Sequence, residues 1–225
     1  KKNGKIIDFR GIFHDITEQI RAEKAQSLYY SIANLTIHSS NISSLFANIH
    51  EELKQVMEAS NFYIALINDD LEEITFPYFV DEYDESSSEK PDFTRSITGY
   101  AINKKTPLFL YETDIRNLYL NQRIYLHGKI PKVWLGVPLI LENRIIGIIA
   151  VQSYDKKDCY SDNDLELLDF ISGQIALSIE RKQKEERILA QNARINAIIE
   201  NGTHLVWSVN QELLFTSYNQ NFSNL

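Results

Sequence analysis

Side chains able to do chemistry are few in this chain, and they are scattered. Its five histidines are His14, His38, His50, His127 and His204, and Cys159 is its single cysteine. None of them forms a His-x-x-x-His or Cys-x-x-Cys pair, so no zinc-type ligand set is expected. His127 has the chemistry to ligate haem iron, but a lone histidine near a loop reads first as an ordinary polar residue. Cys159 lies in a polar loop after the last strand and reads as an ordinary exposed thiol. Asp81, Glu82, Asp84 and Glu85 could offer oxygens to Ca²⁺. That run lacks the glycine and the terminal glutamate of a calcium loop, and it reads as solvated. The eight glycines are dispersed, and no two lie within six residues of each other. A phosphate cradle needs clustered glycines for close backbone approach, so no nucleotide fingerprint is present. The expectation is a segment without catalytic residues, metal or cofactor.

Aromatic residues are the remaining signal, with twelve Tyr and eleven Phe. Most must be core. Tyr63, Phe79, Phe109, Tyr111 and Trp134 are the candidates to line an apolar pocket with polar tips, the usual form of a small-ligand site. Plain core packing is the competing reading for each.

Such residues need a scaffold, and the patterning supplies one of mixed class. Residues 6–13 are rich in β-formers and read as a strand. Asp15 and Glu18 then have capping-box spacing and predict a helix start. Ile42, Leu45, Phe46, Ile49, Leu53, Val56 and Met57 keep a period near 3.6 and predict a second helix, capped by Asn41 or a nearby serine. Strands are expected at 62–67 and 74–80, then a short helix at 96–103 and a strand at 108–111. Residues 112–130 read as a helix and then a loop. The clearest feature is a hairpin of apolar strands, 133–141 and 145–154, joined around Glu142, Asn143 and Arg144. Ser161 and Asp164 repeat the capping-box spacing. From Asp164 one helix runs to about Asn201, a length of roughly 55 Å. Leu167, Phe170, Leu177, Ile188, Ile195 and Ile198 fall at heptad core positions, while Gln174, Arg181, Lys184 and Gln191 break the seam. That predicts a weak coiled coil able to pair in parallel with a second copy. Residues 206–209 and 213–218 are two further short β-like runs.

Composition bounds the class. The hydrophobic fraction is 44% and the charged fraction 24%, as in soluble globular proteins. A net charge of −8 disfavours phosphate backbones, so nucleic acid is not an expected partner. No apolar run approaches the roughly 20 residues of a membrane span. The single cysteine fits a reducing compartment, the cytoplasm. A strand at residue 6 with nothing upstream to pair against suggests a cut end, and residues 201–225 have the same character.

Several motifs match known families in order. Residues 4–18, Gly-Lys-Ile-Ile-Asp-Phe-Arg-Gly-Ile-Phe-His-Asp-Ile-Thr-Glu, resemble the last strand and exit motif of a PAS domain. Residues 61–67 and 76–82 resemble the opening hairpin of a GAF domain. Residues 134–139, 146–154 and 164–168 match its closing portion. Ile198-Ile199-Glu200-Asn201, Val206-Trp207-Ser208-Val209-Asn210 and Tyr218-Asn219 resemble the opening of a second PAS domain. The resemblance implies the following division: 1–16 the end of a PAS domain, 17–37 a signalling helix, 38–182 a GAF domain, 183–200 a coiled-coil-like helix, and 201–225 the start of a second PAS domain. It implies an α+β fold, a sandwich of an antiparallel sheet of about six strands with helices on one face and a small pocket on the other. It also implies a bacterial sensor, most simply the input of a two-component histidine kinase, less often of a diguanylate cyclase, working as a parallel homodimer beside PAS and kinase domains. A spacer scaffold without ligand is the runner-up. Free methionine sulfoxide reductases of this family use several cysteines, and this chain has one. His50-Glu51 is similar to the start of a kinase phosphoacceptor box but lacks the proline that follows there. The cyclic-nucleotide signature of the family and the pocket cysteine of its chromophore-binding members have no counterpart here.

Overall fold

A computed structural model describes residues 16–68, 73–83, 93–126, 128–201 and 204–223. The expected strand at 6–13, the Asp15 cap, His14, His127, Asp84 and Glu85 lie outside the described residues.

The order of elements follows the sequence patterning closely. Helix α1 (Thr17–His38) starts with Ile16 in the cap position and no side-chain cap. Helix α2 (Ile42–Lys54) is closed by a capping box. The Asn41 carboxamide oxygen accepts from the Ser44 amide at 2.8 Å, and the Ser44 hydroxyl accepts from the Asn41 amide at 3.1 Å. Two strands follow, β1 (Asn61–Ile67) and β2 (Ile74–Val80). After a single 3₁₀ turn at Phe93–Arg95 come α3 (Ile97–Lys104), β3 (Leu108–Tyr111) and α4 (Glu112–Leu120).

The hairpin is β4 (Val133–Leu141) and β5 (Arg144–Ser153). Leu141 pairs with Arg144, so the turn is two residues, Glu142 and Asn143, not three. Both have positive φ, 49° and 66°, the twist that suits a two-residue hairpin. Helix α5 (Asp162–Asn201) has 40 residues, a length of roughly 60 Å. A separate small hairpin, β6 (Trp207–Val209) with β7 (Phe215–Tyr218), is followed by α6 (Gln220–Ser223). Asn219 ties it to the end of α5, donating to the carbonyls of Ile199 and His204 at 2.9 Å each.

The main sheet is antiparallel in the order β2-β1-β5-β4-β3. It has five strands among the described residues, where about six were expected. Alternation splits the strands between two cores. Phe62, Ile64, Leu135, Val137, Leu139, Ile149 and Val151 face a layer formed by α1, α2 and α5. Tyr63, Ala65, Trp134, Ile148 and Ala150 face the other side, under α3, α4 and their loops. Each fully buried large side chain contributes about 1.5–3 kcal/mol, so the two-sided burial of the central strands dominates stability.

In the helix layer, α1 and α5 run parallel. Arg21 reaches Asn163 (3.3 Å), the Tyr29 ring meets the Phe170 ring (5.6 Å), and the Thr36 hydroxyl donates to the Ser178 hydroxyl (2.7 Å). At both hydrogen-bonded contacts the partner lies 142 residues further along the chain. Farther along, the Glu186 carboxylate accepts from the first amide of α2, at Ile42, at 2.7 Å. A carboxylate there also meets the positive end of the helix. Up to Lys182 one face of α5 is buried, whereas Ile188, Leu189, Ile195 and Ile198 beyond it are exposed.

Candidate functional site

On the face of the sheet away from the long helices lies a cavity of about 90 Å³. Its back wall is Trp134, the second residue of β4 and 1% exposed. The indole lies flat across Gly136, where a Cβ would sit 2.0 Å from Cη2. The glycine is therefore what leaves room for the ring. Trp134 Nε1–H donates to the Tyr63 hydroxyl at 3.0 Å. That hydroxyl is 2.9 Å from Thr98 Oγ1 on α3. An indole N–H only donates, so Tyr63 accepts from Trp134 and has its own proton for Thr98. Burial pushes the Tyr63 phenol up to about 12, against the smaller lowering by its Thr98 and Trp134 hydrogen bonds. It stays neutral near pH 7.

Phe79 stacks on Tyr63, with centroids 5.8 Å apart, and Phe76 meets Phe79 edge to face at 5.9 Å. Phe76 and Phe79 are three residues apart and in a regular strand would point to opposite faces. They share a face because β2 carries an extra residue: Ile64 pairs with Tyr78 but Leu66 pairs with Thr75. Such a bulge reverses the alternation at Pro77. Phe76 was not among the sequence candidates for that reason.

The structure brings Tyr63, Phe79 and Trp134 together around the cavity. It does not bring Phe109 and Tyr111 there. Phe109 pairs with Leu135 and Tyr111 with Val133, residues that face the helices, so both rings lie on the opposite side. Phe109 packs on the helix-layer core, while Tyr111 is exposed and touches Phe109 at 5.2 Å. The choice of those two is corrected by register: Leu108 and Leu110 are the residues of β3 on the cavity side.

One rim of the cavity is polar. Gln152, near the end of β5, Tyr154, just past it, and Lys129, in the loop before β4, all line it. The Asp81 carboxylate accepts from Gln152 Nε2 at 2.6 Å and from the Tyr154 hydroxyl at 2.9 Å. The Lys129 ammonium lies 3.4 Å from the Tyr83 ring centroid and 5.2 Å from that of Tyr154. On another side Tyr125 forms part of the lining, with the Arg95 guanidinium 3.9 Å from its ring centroid.

Other chemistry-bearing residues fall elsewhere. His50 is 1% exposed in the helix layer. Its Nε2 is 2.6 Å from the Ala59 carbonyl, which can only accept, so Nε2 carries the proton. Nδ1 then accepts from the Tyr78 hydroxyl at 2.9 Å, and the ring stacks on Phe62 at 4.5 Å. With both nitrogens engaged, neither is open to phosphoryl transfer. Burial lowers the His50 pKa, opposed by the bond to Ala59. Cys159 packs against the helix-layer core, and burial pushes its thiol up. Among the described residues no group of three or more His, Cys, Asp or Glu is arranged to hold a metal ion. No helix among them is long and apolar enough to cross a membrane.

Comparisons with known proteins agree on the fold. The GAF domain of a phosphoenolpyruvate-protein phosphotransferase from Coxiella burnetii superposes with a TM-score of 0.59 at 13% identity, covering 74% of this chain and 98% of that one. The free methionine-R-sulfoxide reductase of Neisseria meningitidis, solved with its substrate, gives 0.57 at 14% identity, covering 80% and 99%. A methyl-accepting chemotaxis protein segment, residues 122 to 287, gives 0.52 at 15% identity, covering 69% and 98%. At such identities the likeness is one of fold. No curated protein matches the chain in sequence. The sequence model of the GAF domain matches residues 39–180, well over half of the chain, and the chain belongs to this family of sensory and signalling modules.

Proposed function

We propose that this chain is a non-catalytic input and relay segment of a cytoplasmic signalling protein, with a two-component histidine kinase as its parent and partial PAS domains at both ends. The observation that carries the reading is the path of the helices. Helix α1 lies parallel to α5 on one face of the sheet, the cavity lies on the other, and α5 leaves the domain with apolar residues in the open. Occupancy of the cavity, or strain arriving along α1, biases the sheet on which both helices rest. Helix α5 passes the bias on. A ligand shifts such an equilibrium only by its differential affinity for the two states, and a partly polar helix pair needs little. Ile188 and Ile195, exposed at 57% and 53%, supply the seam of a parallel homodimer.

Cys159 supports the absence of reductase chemistry, because it is the only cysteine and packs on the sheet face away from the cavity. The small cavity volume favours a second reading, a scaffold that only spaces and registers its neighbours. Sedimentation equilibrium separates these claims from simple monomeric behaviour. Ile188→Asp with Ile195→Asp is expected to convert a dimer into a monomer with the domain still folded, and a dimer that survives unchanged sinks the helix-pairing claim.

A further inference from the structure

The polar rim of the cavity is built like a cation site, and the chain fills it with its own side chain. Tyr83 and Tyr154 meet edge to face, with centroids 4.8 Å apart and planes at 70°. The Lys129 ammonium sits within cation–π reach of both. The Tyr154 hydroxyl donates to the Asp81 carboxylate, and Gln152 holds the same carboxylate in place. A phenol that donates to an anion is polarised so that its ring becomes a better partner for positive charge. Lys129, Gln152 and Tyr154 also line the cavity, so the cage opens straight onto the space bounded by Tyr63, Phe79 and Trp134. Lys129 is exposed and follows Gly128, whose φ is 68°. Its ammonium can leave the rings for water without disturbing a strand or a helix.

We propose that this cage binds a small organic ammonium. The ligand's cation takes the place of the Lys129 ammonium over Tyr83 and Tyr154, with Asp81 as the nearby counter-charge. A short apolar tail enters the cavity, whose volume of about 90 Å³ excludes large ones. Lys129 is then an internal competitor that keeps the site occupied until an external cation displaces it. The inference rests on reading the cavity as a sensory pocket and names its ligand class.

The test uses the full 225-residue chain labelled with ¹⁵N, following the Trp134 indole resonance, which a Trp207→Phe control assigns. The probes are n-butylammonium, tetramethylammonium and n-butyrate. Lys129→Ala is expected to tighten both ammonium probes by about tenfold, because a cation–π competitor of this kind is removed. Asp81→Asn and Tyr83→Leu are each expected to weaken them by about fivefold or more, with unchanged melting of the exposed Tyr83 variant as the folding control. n-Butyrate should leave the indole unmoved. Ammonium affinity that is unchanged or lost in Lys129→Ala, or ammonium probes that fail to bind that variant at all, overturns the proposal. Binding of n-butyrate that disappears in Lys129→Ala also overturns it, with Lys129 then an anchor for anions. That last result leaves the pocket sensory while refuting the cage, whereas the relay reading stands or falls separately on the helix-pairing experiment.

Discussion

Replacing Tyr63 by Phe removes one oxygen and strands two buried groups. Trp134 Nε1–H loses an acceptor at 3.0 Å, and Thr98 Oγ1 loses its partner at 2.9 Å. Trp134 is 1% and Thr98 4% exposed, so neither group is open to bulk water. A buried donor left without a partner costs about 1–3 kcal/mol. The indole is held by Gly136 beneath and Tyr63 beside it, and it takes that cost in full. The threonine hydroxyl rotates freely and takes only part of it. The sum is about 2–3 kcal/mol, or a fall in Tm of roughly 4–12 °C for a chain of this size. Trp134→Phe removes the donor itself, so in the double variant Tyr63→Phe no longer strands it. A double-mutant cycle by urea unfolding should therefore give a coupling of about 1–2 kcal/mol. Additivity within about 0.5 kcal/mol would refute the argument and leave packing alone as what holds the cavity wall. The same variant carries a second signature. With its folded pKa raised to about 12 from about 10 when unfolded, Tyr63 contributes stability below that range that is lost as pH climbs through it. Tyr63→Phe should lack this alkaline component.

Two further outcomes follow from the same geometry. His50 is neutral when folded and its pKa is lowered, so its contribution is present above the unfolded value of about 6.5 and is lost as pH falls below it. Urea midpoints should drop as pH falls below about 6.5, and His50→Gln should flatten that slope. A slope that persists unchanged places the acid sensitivity in other groups. Gly136→Ala puts a methyl group against the Trp134 ring, at a cost of about 1–3 kcal/mol, and should displace the indole from Tyr63. An Nε1–H resonance that does not move on that substitution would show that the ring is not pinned as described.

The elements themselves were legible because each was bounded by local chemistry. Asn41 and Ser44 close α2, and Asn143 permits the tight hairpin turn. The Ser161–Asp164 box ties down the start of α5, where Asp164 accepts from the Ser161 amide at 2.8 Å. What was not legible is how strands are set against one another. A one-residue change of register moves every side chain to the other face. Nothing local in residues 108–111 says that Phe109 lies beside Leu135, so composition alone puts Phe109 and Tyr111 among pocket candidates although they face the helices. The bulge at Pro77 is the complementary case, since it turns Phe76 inward against the alternation. The proline was visible, but its effect depends on the pairing of β2 with β1. The polar rim was out of reach for a related reason. Asp81, Lys129 and Tyr154 come from three separate parts of the chain, and Asp81 read as part of a solvated acidic loop.

The parallel seating of α1 on α5 has a mechanical consequence. Residues near Thr17 and residues near Asn201 lie at opposite ends of one rod, and Arg21–Asn163 and Thr36–Ser178 are spaced along it. Tension applied through the flanking segments loads these contacts in shear, all at once, instead of peeling them apart one by one. Rungs loaded together share the force, so the pair resists stretching along its axis far better than prying across it. A twist or a push arriving at Thr17 meets a stiff coupling, and the domain between the two helices behaves as a clamp on a drive shaft.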